Sequence, residues 1–131
     1  GRKTLKAGYY ISLQPGNTFI GGGLWQPTAA ILQNIRQEID YNLKDFEAII
    51  NHKNFKTLYG GLAVEDGFVL TRVPKGYEAE NPAVEYLKFK SFIVESGYID
   101  ASVLHPSFYK EISTAFTVLK PFIDFLNGAL D

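Results

Sequence analysis

The sequence predicts an α+β fold: an antiparallel sheet that includes a β-hairpin, packed against several helices, with a long C-terminal helix. Three observations carry that expectation. Residues 7–13 (AGYYISL) and 18–25 (TFIGGGLW) flank Gln14-Pro15-Gly16-Asn17, where proline presets φ and glycine accepts the positive φ of a type II turn. Ile31, Leu32, Ile35 and Ile39 recur at helical spacing, with polar residues between them. Finally, Phe108, Ile112, Ala115, Phe116, Leu119, Ile123, Leu126 and Leu130 form one apolar stripe near the end of the chain. Strands, helices, a further strand and a long helix, in that order, suit an antiparallel layer better than regular βαβ winding.

Taken in order, the hairpin pairs Leu13 with Thr18, which sets Ile11 opposite Ile20, Tyr10 opposite Gly21 and Tyr9 opposite Gly22. Pro27 suits the first turn of a helix. Asn42 is placed to cap a second helix, with Asp45 three residues on and Phe46, Ile49 and Ile50 facing inward. Asn51 is the expected cap of a short third helix that reaches Tyr59 and stops at Gly60-Gly61. Residues 62–80 read as irregular, with short strand candidates at 62–64 and 68–71, and Asn81-Pro82 opens a brief helix. Alternation from Lys88 to Glu95 predicts a strand with Lys88, Lys90, Phe92 and Val94 on one face. Pro121 lies inside the last helix, expected from about Pro106 to Leu130, and should kink it near Thr117 or split it.

At 131 residues, 46% hydrophobic and 15% aromatic, the chain is expected to form a single domain over 1–131 with a real core. No apolar run is long enough for a bilayer span. The net charge of −1 gives no general pull toward nucleic acid or an acidic membrane surface, so neither is an expected partner. Without cysteine there are no disulfides, thiolate metal sites or cysteine nucleophiles, in keeping with a cytoplasmic protein. Without methionine, the chain is expected to be a processed product or a fragment.

Gly21-Gly22-Gly23 is the most conspicuous motif. It has neither the Lys-Ser/Thr ending of a P-loop nor the spacing of a dinucleotide fingerprint. In the hairpin its glycines face Tyr9 and Tyr10, whose rings can lie across bare backbone, and a glycine run also admits a close helix. Close backbone approach is therefore the favoured reading over an anion site at the following helix end.

The other candidate is basic. TRVPKGYEAENP sets Arg72, Lys75 and Tyr77 in an irregular segment, and Lys88 and Lys90 follow. These four cations, with Tyr10, Trp25 and Tyr77 as aromatic walls, are the candidate ligand-binding set, suited to an anionic small molecule. Solvated lysines on a protected strand edge are the plainer account of the same residues. His52 and His105 have no partner at metal-ligand or triad spacing, no serine sits in a nucleophile elbow, and EIDYN and VESGYID set carboxylates beside aromatics without implying chemistry. No metal site or cofactor is expected, and these residues single out no catalytic constellation.

Taken together, AGYYISLQPGNTFIGGGLWQP, IRQEIDYN, PKGYEAENPAVEYLKFKSF and LKPFIDFLN closely resemble the domain of unknown function 2461 family, conserved hypothetical proteins of bacteria and fungi. The resemblance spans essentially the whole chain. It implies an α+β fold and cytoplasmic residence, and no established activity. Family members are longer, so this chain is expected to be the carboxy-terminal portion, lacking an N-terminal helical part and a basic strand-loop segment. The strand at 7–13 would then be an exposed edge, and a homodimer through the hairpin edge is expected. The functional expectation is a non-catalytic ligand- or partner-binding domain. The alternative is an enzyme acting on an anionic small molecule, with Arg36 or the lysines binding substrate and Glu38 or an absent segment supplying a base.

Overall fold

Pro15 and Gly16 close the hairpin as the sequence requires: Gly16 has φ +75°, and the Asn17 amide donates to the Gln14 carbonyl at 2.8 Å. The Thr18 hydroxyl donates to the same carbonyl at 3.1 Å. That turn joins β1 (Gly8–Ser12) to β2 (Thr18–Leu24). β3 (Phe92–Tyr98) completes an antiparallel sheet ordered β1-β2-β3 in the computed structural model, which describes residues 6–131. Tyr9 pairs with Gly22, Tyr10 with Gly21 and Ile11 with Ile20, the register that the turn predicts.

Among the described residues there are six helices: α1 (Ala29–Tyr41), α2 (Leu43–Ile50), α3 (Lys53–Tyr59), α4 (Val84–Leu87), α5 (Asp100–Val103) and α6 (Phe108–Leu130). The α+β architecture follows from two periodicities. Ile35 and Ile39 of α1, Phe46 and Ile50 of α2, and Ala115, Leu119, Phe122, Ile123 and Leu126 of α6 are buried together against Ile20, Leu24, Phe92 and Val94 of the sheet. Aromatic rings tie the helices to each other, Phe46 to Phe125 at 5.2 Å and Phe55 to Phe122 at 5.7 Å.

α6 lies on the inner face of the sheet, where Phe116 stacks on Tyr9 at 5.0 Å and Leu119 and Ile123 approach Gly22. A Cβ at Gly22 would stand 2.6 Å from the Gly8 carbonyl oxygen and 2.8 Å from Leu119 Cδ2. Gly23 has φ +128°, where a side chain would be strained and would strike the Phe92 carbonyl. The triple glycine is thus a place of close approach.

Several element boundaries differ from the expectation. α1 begins at Ala29, because Thr28 Oγ1 accepts from the Ile31 amide at 3.3 Å and caps it; Pro27 precedes the cap. The cap of α3 is His52, whose Nδ1 accepts from the Asn54 amide at 3.2 Å, in place of Asn51. Asn42 holds the N-cap position of α2 as expected, but its side-chain Nδ2 donates to Glu38 Oε2 at 2.7 Å and makes no side-chain cap bond. Pro121 is accommodated within α6 without splitting it.

The largest correction concerns residues 88–91. They are not the start of a strand: Lys88 ends α4, and β3 begins only at Phe92. The reason is Arg36, whose Nε donates to the Leu87 carbonyl at 2.7 Å and whose Nη2 donates to the Phe89 carbonyl at 3.3 Å. Those carbonyls are held toward α1, and the stretch pairs instead with residues 68–70. The Lys90 amide donates to Phe68 at 2.6 Å and the Leu70 amide to Lys88 at 2.8 Å. The strand candidates at 62–64 and 68–71 reduce to an isolated bridge, Val69 with Phe89, and one bond from the Ala63 amide to the Ile93 carbonyl at 2.8 Å.

Candidate functional site

Alternation places Tyr10 of β1, Phe19 and Gly21 of β2, and Ile93 and Glu95 of β3 on the sheet face away from α6. Because Gly21 has no side chain, the Tyr10 ring crosses its backbone, and its hydroxyl donates to Glu95 Oε2 at 2.9 Å on the far strand. A Cβ at Gly21 would lie 3.2 Å from Tyr10 Cζ and 3.0 Å from Glu95 Cγ. Phe19 meets the Tyr10 ring edge-on at 5.8 Å.

Two further pieces complete a concavity on this floor. Beyond β2, Gln26 adopts φ +47°, an uncommon conformation for a residue with a side chain. The buried Ser91 hydroxyl holds that turn by accepting from the Gln26 amide at 2.8 Å. Trp25 stands just before it, 61% exposed. From the other side comes the irregular segment after α3, tied to β3 and to residues 88–90 by the bonds described above, which brings Phe68 and Glu65 over the sheet. Tyr10, Phe19, Trp25, Glu65, Phe68, Ile93 and Glu95 line a cavity of about 290 Å³.

Its electrostatics are negative. Burial pushes the Tyr10 phenol up most, and the Glu95 hydrogen bond and the charges of Glu95 and then Glu65 push it further in the same direction. Tyr10 is therefore a hydrogen-bond donor at physiological pH and a poor base.

The basic candidates lie elsewhere. Arg72 acts on the charge of Arg36: burial lowers the Arg36 pKa most, nearby Tyr77 opposes, and Arg72 lowers it again. Tyr77 is raised chiefly by burial and by Asp40, with its Gln33 hydrogen bond and Arg36 acting the other way. Lys88 pairs with Glu85 at 3.4 Å, Lys75 is exposed, and Lys90 is half-buried. The structure thus brings Tyr10 together with Trp25, and Arg72 and Tyr77 within reach of Arg36. It does not place Arg72, Lys75, Tyr77, Lys88 or Lys90 among the residues lining the Tyr10–Trp25 cavity.

The family model described as conserved hypothetical protein (DUF2461) matches residues 1–125 of the 131. The chain belongs to the DUF2461 family. No curated protein and no solved structure matches it.

Within this DUF2461 domain both histidines serve local structure. His52 caps α3, and His105 Nδ1 accepts from the Ser107 amide at 3.1 Å. Among the described residues, no group of three or more His, Cys, Asp or Glu is placed to hold a metal ion. No helix there is long and apolar enough to cross a membrane. Glu65 and Glu95 are the site residues that sequence reasoning missed. Glu95 stands opposite Gly21 across the β2–β3 pairing, as Tyr10 does across the hairpin, but the turn fixes only the hairpin register and so gave no signal for it. Glu65 had none either, because it arrives on a segment without periodicity.

Proposed function

We propose that this DUF2461 chain is a non-catalytic ligand- or partner-binding domain whose recognition surface is the outer face of the sheet. The observation that carries this reading is Trp25, a large aromatic left 61% exposed at an aromatic-lined cavity on a hydrogen-bonded sheet. A rigid floor with an open aromatic wall loses little entropy on binding. Tyr10 supports the same reading, since a phenol pushed up and already donating to Glu95 is arranged to hold the floor together. Cytoplasmic residence belongs to this reading and rests on the family resemblance.

The test is a thermal-shift screen against anionic, neutral and cationic metabolites, run on the native chain and on Trp25→Leu. A compound that raises the melting temperature of the native chain alone is the expected result, because a ligand of the folded state stabilises it by mass action. A screen in which every active compound stabilises both proteins equally would move the site away from this face.

One observation favours an anionic small molecule, the substrate class of the enzyme alternative. Arg72 lowers the Arg36 pKa, and among the described residues neither arginine has a carboxylate within ion-pair distance. An anion near both would relieve that repulsion. Phosphate or a carboxylic acid would then stabilise the native chain, and Arg72→Gln would abolish the effect.

A homodimer is the partner that the edge of β1 supports. Among the described residues β1 is the outermost strand on its side, and Tyr9, Ile11 and Leu13 are 40%, 38% and 64% exposed. Such an edge invites strand pairing. Sedimentation is expected to show concentration-dependent association that Ile11→Lys abolishes. A monomer at all concentrations would overturn the dimer.

A further inference from the structure

We propose that the outer-face cavity binds a small organic ammonium ion, fully alkylated on nitrogen, seated among Tyr10, Phe19 and Trp25 and balanced by Glu65 and Glu95. The proposal rests on the binding-domain reading and names the ligand class of that same site.

Charge decides the sign of the ligand. Two carboxylates and no cationic side chain line the cavity. Among the described residues, no lysine or arginine lies within ion-pair distance of Glu65 or Glu95. Glu95 uses Oε2 to accept from Tyr10, which leaves Oε1 without a protein donor among the described residues. An anion would meet both carboxylates and find the Tyr10 hydroxyl already committed. A cation would be the first counter-charge.

The walls decide the kind of cation. Four of the seven lining side chains are aromatic, and one of them is tryptophan, the ring with the strongest attraction for a cation. A bare metal ion would need several oxygen ligands at short range, and two carboxylates from separate elements do not supply them. A quaternary ammonium, fully alkylated on nitrogen, needs no hydrogen-bond acceptors, spreads its charge over methyl groups and gains from apolar contact with rings. The cavity of about 290 Å³ suits such a molecule in size, since that volume equals about ten waters at their liquid share. An affinity on the order of millimolar is expected for a site this open.

Trp25 is the only tryptophan in the chain, so its emission reports on this cavity directly. The experiment titrates the full chain with choline at constant ionic strength. The neutral isostere 3,3-dimethylbutan-1-ol and inorganic phosphate are run in parallel, and melting temperature is read alongside emission. Choline should give a saturable change and a rise in melting temperature, with the isostere weaker by about tenfold or more. Glu65→Gln and Glu95→Gln should each weaken choline several-fold and leave the isostere unchanged. Glutamine at 95 can still accept from Tyr10, and Glu65 is exposed, so neither variant threatens the fold.

Equal responses to choline and its isostere would overturn the proposal, as would choline binding indifferent to both glutamine variants. So would a response to phosphate alone, which would leave the binding-domain reading standing with an anion as its ligand. If choline is silent in both readouts, the ammonium assignment falls. The broader reading falls with it only if the metabolite screen is empty as well.

Discussion

On the inner face of the sheet, Gly22 leaves room for Leu119 and Ile123 of α6; on the outer face, its neighbour Gly21 leaves room for the ring of Tyr10. Consecutive residues of one strand point to opposite faces, so a single glycine run serves two purposes. Inside, the absent side chains let a helix close on the sheet and build the core. Outside, they let one tyrosine span the middle strand and bond to a carboxylate two strands away. The inner face is filled, whereas the outer face ends in an open cavity beside an exposed tryptophan. Stability should therefore depend most on the first face and binding on the second.

The sharpest way to break that comparison is Gly22→Val. The new Cβ meets a backbone oxygen at 2.6 Å, which cannot swing aside as a side-chain tip can. Overpacking against α6 should cost about 3 kcal/mol, measured by urea unfolding. A variant as stable as the native chain would mean that the helix is not held close by the glycine. Gly21→Val should also destabilise, and in addition it should displace Tyr10 from Glu95 and disturb the Trp25 cavity.

Next in size are the two tyrosine hydroxyls. Tyr59, on the core side, donates to the Ala115 carbonyl at 2.7 Å; Tyr10, on the outer face, donates to Glu95 at 2.9 Å. Removing either hydroxyl with phenylalanine should cost about 1 kcal/mol. Both phenols are raised in the folded chain, each chiefly by burial. The unfolded chain therefore loses these protons first, at a pH of about 10. Their contribution is complete below that pH and is lost as pH rises toward the folded values. The urea midpoint should fall on the alkaline side, and Tyr59→Phe and Tyr10→Phe should each flatten the fall. An unchanged alkaline slope in both variants would place the titration elsewhere.

The sequence was legible wherever one local rule dominated. Pro15-Gly16 fixed the hairpin register, and with it the positions of Tyr10 and Gly21. The 3.6-residue spacing gave Ile35, Ile39, Phe46 and most of the α6 stripe, although Phe122, fully buried, stood outside the stripe. It misled where two signals competed. Lys88 to Glu95 alternates like a strand, but Arg36 from a distant helix takes the carbonyls of residues 87 and 89 and delays β3 to Phe92. Thr28 caps α1, which starts two residues beyond the expected Pro27, and His52 takes the cap of α3 expected at Asn51; both are one-side-chain differences that helical spacing does not resolve. The candidate cavity was half legible. Tyr10 and Trp25 are anchored by β1 and by the turn after β2, whereas Glu65 and Phe68 come from a segment whose path is set by long-range hydrogen bonds, and no periodicity encodes those.

The smallest expected stability effect is at Trp25, and it is the most discriminating. A tryptophan that packed as core would cost about 3 kcal/mol or more on truncation. Trp25 is 61% exposed, and the turn beyond it is held by Ser91 through the Gln26 amide, a bond that does not involve the indole. Trp25→Leu should therefore change stability by no more than about 0.5 kcal/mol, read as the urea midpoint at constant slope. The same substitution removes the ring best able to hold a cation and should abolish the choline-dependent rise in melting temperature. Lost stability with retained ligand response would reverse the roles of the two faces, making Trp25 a packing residue and moving the ligand elsewhere.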